Sequence, residues 1–95
     1  MKRTIWKFPL RLIVGPQSIE MPAGAIVRAC GIDPASGGPA IWAEYLILDP
    51  PAPARVLPRE FHILGTGDEW TEPNLCHHGI IFDRQFVWHI KERPL

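Results

Sequence analysis

Bulky and polar side chains alternate along most of this 95-residue chain. Thr4-Ile5-Trp6-Lys7-Phe8 alternates and stops at Pro9; Gln85-Phe86-Val87-Trp88-His89-Ile90 does the same near the other end. A strand sends successive side chains to opposite faces. Trp6 and Phe8 therefore share one face, and Phe86, Trp88 and Ile90 share another. Pairing the two ends, or stacking their sheets around one core, is the economical way to bury both rows.

Between these ends the same period recurs. Leu10, Leu12 and Val14 alternate with their neighbours up to the Gly15-Pro16 turn, and Gln17 to Met21 alternates again. Ala25 to Ile32 reads as a strand of small residues containing Cys30. The turn-forming run Asp33 to Pro39 then joins it to Ala40–Leu48, the longest candidate strand, in a hairpin. Asp49-Pro50-Pro51-Ala52-Pro53 lacks the donors a ladder needs and reads as an extended loop. Arg55 to Leu64 reads as a strand with Val56, Phe61 and Ile63 inward and Pro58 at an edge or bulge. A final hairpin joins Leu75–Phe82 to Gln85–Glu92 through Asp83-Arg84. No stretch of ten residues shows the apolar spacing of a core helix. The expected fold is one all-β domain over residues 1–95, a small antiparallel sandwich or barrel of six or seven strands.

Composition narrows the function classes. Eleven prolines and eight glycines cut the chain into short pieces, but the apolar runs between them argue for strands rather than disorder. Ten basic and ten acidic residues cancel, whereas a duplex-binding surface needs excess cation to replace phosphate counterions. Two cysteines are too few for a secreted disulfide scaffold of this size, so a reducing compartment is expected. Lys7, Pro9 and Arg11 interrupt any leader-like apolar core, and no run approaches the ~20 residues of a membrane helix. A cytosolic protein without membrane or duplex partners is the expectation.

Candidate chemistry is sparse. Gly65-Thr66-Gly67-Asp68-Glu69-Trp70 lacks the third glycine and the following helix of a dinucleotide fingerprint. Its glycines suit a tight turn, which could also aim backbone N–H groups and the Thr66 hydroxyl at a ligand. Cys76-His77-His78 matches no zinc knuckle spacing, and a strand places His77 opposite its neighbours. No nucleophile turn accompanies either cysteine, so no enzymatic activity, metal or other cofactor is expected. Trp70 stands in a polar loop, and Trp42 lies in a strand whose other face carries Tyr45. Exposed aromatics such as these anchor protein interfaces or stack on bases.

Thr4-Ile5-Trp6-Lys7-Phe8-Pro9-Leu10, Gln17-x-Ile19-x-Met21-Pro22-x-Gly24-Ala25, Phe61-x-x-x-Gly65-Thr66-Gly67 and Phe86-Val87-Trp88-His89 together resemble a family of short, uncharacterised bacteriophage proteins. The likeness runs in the same order over nearly the whole chain. Many relatives have His after the Gly-Thr-Gly turn; this chain has Asp68. The resemblance carries no activity and implies an accessory gene product acting in the cytoplasm of an infected bacterium.

Three functions follow as expectations. The first is a non-enzymatic protein that binds and inhibits a host factor, such as a defence component, through Trp70, Thr66, Trp42 and the Pro50–Pro53 loop. The second is a protein that sequesters a nucleotide signal. Gly65, Thr66 and Gly67 would cradle its phosphate, with Asp68 beside them in the binding site, Trp42 or Trp70 would stack the base, and Arg55 or Arg59 would neutralise charge. The third is a minor virion component assembled through open strand edges. A homodimer through an edge strand is expected in addition.

Overall fold

A computed structural model describes residues 1–48 and 55–94. The expected Pro50–Pro53 loop lies outside the described residues. Seven strands form and no helix occurs among the described residues. They are β1 (Lys2–Pro9), β2 (Gly15–Pro22), β3 (Ile26–Ile32), β4 (Pro39–Ile47), β5 (Val56–Gly65), β6 (Cys76–Asp83) and β7 (Phe86–Glu92). One sheet has the order β1-β4-β3 and the other β2-β5-β7-β6, with every neighbour antiparallel. The protein is a small all-β sandwich.

The terminal strands are not paired with each other; they lie in different sheets. Both expected hairpins form, β3–β4 and β6–β7. Asp33 organises the first turn: its carboxylate accepts from Lys7 Nζ at 2.6 Å, Ser36 Oγ at 3.0 Å and the Ala35 N–H at 3.0 Å. The Lys7 bond leads these in holding the Asp33 carboxyl at about 2. In the second turn Arg84 takes a left-handed φ of 57°. Pro58 is tolerated because β7 pairs only with Phe61–Gly65, so no donor is needed on that side of β5 at residue 58.

Phe61, Met21, Ile41, Ile63, Ile81 and Ile90 fill the core and are fully buried. The two sheets meet along β3 and β6, where Cys30 Sγ lies 3.8 Å from the Ile80 carbonyl oxygen. A Cβ placed on Gly79 would stand 2.8 Å from that sulfur, so the missing side chain permits the close approach. Burial there raises the Cys30 thiol pKa.

Several expectations need correction. Trp6 shares the inward side with Phe8, yet it is 62% exposed. Its partner Ala43 is fully buried, but β1 is one strand further out, where the opposite sheet no longer covers it. Phe86 is 53% exposed because it pairs with Asp83 beside the β6–β7 turn, at the rim. Val56 is exposed; with Phe61 and Ile63 inward, the alternation sends Arg59 inward and Val56 the other way. Leu10 to Val14 forms no strand. The Gln17 side chain instead closes on Arg11, accepting from its N–H at 2.9 Å and donating to its carbonyl at 2.8 Å, while Leu10 is buried. The longest described strand is β5, one residue longer than β4.

Candidate functional site

The Gly-Thr-Gly segment is a turn with a specific frame. The Asp68 N–H donates to the Gly65 carbonyl at 3.0 Å, and Gly67 at its corner has φ +93°, a conformation glycine adopts without steric cost. The Asp68 carboxylate folds back and accepts the Gly65 N–H at 2.7 Å. Thr66 is fastened to β7: its N–H donates to the Val87 carbonyl at 3.3 Å, and its hydroxyl lies 3.0 Å from His89 Nε2. The turn thus offers a carboxylate where a phosphate cradle would offer a free N–H.

On the outer face of the four-stranded sheet this turn walls a cavity of about 300 Å³, completed by Leu64, Trp70, His89 and Lys91. Trp70 is half exposed, and the Lys91 ammonium sits 5.2 Å from the centre of its ring. A cation at that distance from an indole face is attracted to it, by about 0.5–1 kcal/mol at an exposed site, which favours the ring's place at the cavity mouth. Ile80 and Phe82 share the outer face, opposite His89 and Val87 in the β6–β7 ladder, and Phe82 is 65% exposed. His77 is 6.4 Å from His89 between ring centres. Its pKa is lowered by burial and then by the positive charges of Lys91, His89 and His78. A second cavity, about 480 Å³, lies on the other flank of the turn, with Val14, Gln85, Phe86 and Trp88 in its wall.

A separate cluster occupies the far end of β5. Arg59 donates through Nε and Nη2 to the two oxygens of Glu92 at 2.5 and 2.8 Å, and through Nη1 to the Ala25 carbonyl at 2.5 Å. His78 Nε2 contacts Glu92 Oε1 at 2.7 Å. Burial pushes the Glu92 carboxyl up, but the bonds from Arg59 and His78 overcome it and hold the pKa at about 2. Cys76 lies beside this cluster, on the wall of a cavity of about 390 Å³. No three His, Cys, Asp or Glu side chains converge as metal ligands among the described residues.

The eight residues singled out from sequence therefore divide. Gly65, Thr66, Gly67, Asp68 and Trp70 come together around one cavity. Arg59 and Arg55 lie six and ten residues before Gly65 on the same strand path, roughly 20 and 30 Å away at the rise of a strand. Arg59 is buried in its ion pair and has no part in the turn. Arg55 is exposed at the start of β5. Trp42 is in β4 of the other sheet, opposite Lys7. Sequence reading missed Leu64, His89 and Lys91, which complete the Trp70 cavity. His89 and Lys91 share the outward parity of Val87, and that parity was their available signal. It also missed Glu92 and His78. Their clue was charge at inward parity on two strands, since Arg59 lies two residues from Phe61 and Glu92 two from Ile90.

No curated protein and no solved structure matches this chain. A family described as "Domain of unknown function (DUF7352)" matches residues 1–95. With the match spanning every residue, the chain belongs to the DUF7352 family.

Proposed function

We propose that this protein is a non-enzymatic binding protein that engages a protein partner through the outer face of the four-stranded sheet, with Trp70 as the anchor. The observation that carries the reading is the half-exposed Trp70 ring, with the Lys91 ammonium over it, at the mouth of the cavity walled by the Gly-Thr-Gly turn. A large aromatic that is already ordered loses little freedom on binding, which is why such residues dominate interface energetics. Ile80 and Phe82 extend the apolar surface beside it. The resemblance to phage accessory proteins makes a host factor, such as a defence component, the expected target and inhibition the expected consequence.

The geometry favours this over capture of a nucleotide signal. A phosphate placed at Gly65-Thr66-Gly67 would meet the Asp68 carboxylate, which already occupies the Gly65 N–H. The guanidinium that would balance its charge, Arg59, is bound to Glu92 at the other end of the strand.

Affinity capture from host lysate with tagged wild type and Trp70→Ala, followed by mass analysis of proteins and extracted small molecules, tests the reading. A protein retained by wild type and lost by the variant, with unchanged thermal unfolding, supports it. A bound nucleotide and no Trp70-dependent protein would overturn it.

A further inference from the structure

β1 is an outer strand, and its ladder runs to β4 alone. The Leu10 N–H donates to the Pro39 carbonyl at 3.2 Å, which fixes the phase of that ladder. In an antiparallel pair, residues that bond across to the partner alternate with residues that do not. Counting back by twos, Phe8, Trp6 and Thr4 bond to β4. The backbone groups of Arg3, Ile5 and Lys7 point to the free edge instead. Pro9, with no N–H to give, falls on the same outward phase.

An open edge is a template for another strand unless something blocks it. The opposite outer strand, β2, contains Pro16 and Pro22 as well as Glu20. β1 has no proline before Pro9 and leaves Ile5 and Trp6 exposed. A cavity of about 210 Å³ opens at this edge between Ile5, Trp6, Lys7 and Trp42. Every charged side chain of β1 is cationic: Lys2, Arg3 and Lys7. Glu44 is shared between Arg3 at 3.3 Å and Arg28 at 3.2 Å, and Lys7, half-exposed, pairs with Asp33 at 2.6 Å, so with Lys2 four cations face two carboxylates at this edge.

We propose that the free edge of β1 receives an extended acidic segment of a partner protein as an added antiparallel strand, with the pattern acidic–x–apolar–x–acidic. Its acidic side chains meet Lys7 and Arg3, and the apolar one enters the cavity beside Ile5 and Trp42. Main-chain bonds supply attachment and the alternate side chains supply selection. A second copy of this chain fits poorly. Self-pairing centred on Ile5 sets Arg3 against Lys7 of the other copy twice, and like charges directly opposite are destabilising. This surface is on the other sheet from Trp70 and stands or falls independently of it.

The test uses the full chain and a capped peptide, Thr-Glu-Val-Leu-Val-Glu-Thr, followed by amide hydrogen exchange. In the free protein the Arg3, Ile5 and Lys7 amides exchange fast while Thr4, Trp6 and Phe8 are protected. The peptide should slow the three fast amides by about tenfold or more, and a peptide with both Glu replaced by Lys should bind about tenfold more weakly. The variant Arg3→Glu, which spares the Lys7–Asp33 pair, should erase that preference, its folding verified by the Thr4, Trp6 and Phe8 amides. Unchanged exchange at millimolar peptide, equal binding of both peptides, or concentration-dependent protection without peptide would overturn the proposal, the last by making a second copy the occupant.

Discussion

At one end of β5, Arg59 gives three N–H groups to Glu92 and Ala25 inside the sandwich; at the other, Gly65 gives its one to Asp68 and the chain turns outward to Trp70. Both ends carry charge, a histidine and a cavity. They differ in what remains unsatisfied. The Arg59 cluster closes on itself, carboxylate against guanidinium and imidazole, with little of it exposed. The Trp70 end leaves half a large aromatic ring in water above a rigid turn. Charged groups near a cavity do not mark a binding surface when each is buried against its own partner. An ordered apolar group without one does.

The sharpest way to break that contrast is to remove Glu92. Glu92→Ala leaves Arg59 buried and unpaired, and breaking such a pair costs about 3–5 kcal/mol of stability. Chemical denaturation should show the loss directly. Trp70→Ala, by contrast, should leave the denaturation midpoint where it was.

Acid makes the same perturbation gradually. Glu92 and Asp33 have folded-state pKa values of about 2 against ordinary values of 4.5 and 3.8. A depressed carboxyl pKa stabilises fully above its unfolded value, and the stabilisation fades as pH falls toward the folded one. Stability should therefore drop between about pH 4.5 and 2, with no contribution to the slope from these two groups near neutrality. Equilibrium unfolding across that range checks the sign, and Glu92→Gln should flatten the acid limb.

Trp70→Ala should lower affinity for the protein partner by on the order of 2 kcal/mol, the scale of an aromatic anchor. Titration calorimetry against the captured partner reads it. Smaller still is the effect of Gly67→Ala, which forces a side chain into φ +93° and should cost about 1–2 kcal/mol of stability. If the turn presents Trp70, binding should weaken in Gly67→Ala even at temperatures where the variant is fully folded.

How far the sequence discloses this molecule depends on which physical rule each feature obeys. Alternation and turn residues act locally, so the two hairpins and the inward Phe61 and Ile63 were legible. Coverage by a second sheet is not local: nothing in Thr4–Phe8 says that the opposite sheet stops short of Trp6. The same limit hid the Arg59–Glu92 pair, whose members are 33 residues apart and meet only because β5 and β7 are neighbours. Trp70 was legible as a loop aromatic among polar residues. Its support was not, since Lys91, which reaches its ring, and His89, which holds Thr66, come from β7, about twenty residues further along the chain.

The most direct test is a side-by-side capture of host proteins with wild type and Trp70→Ala, both shown to unfold at the same temperature. The account predicts a protein held by the wild type and released by the variant. Equal retention of that protein by both, or a nucleotide that raises the melting temperature of both, would contradict it.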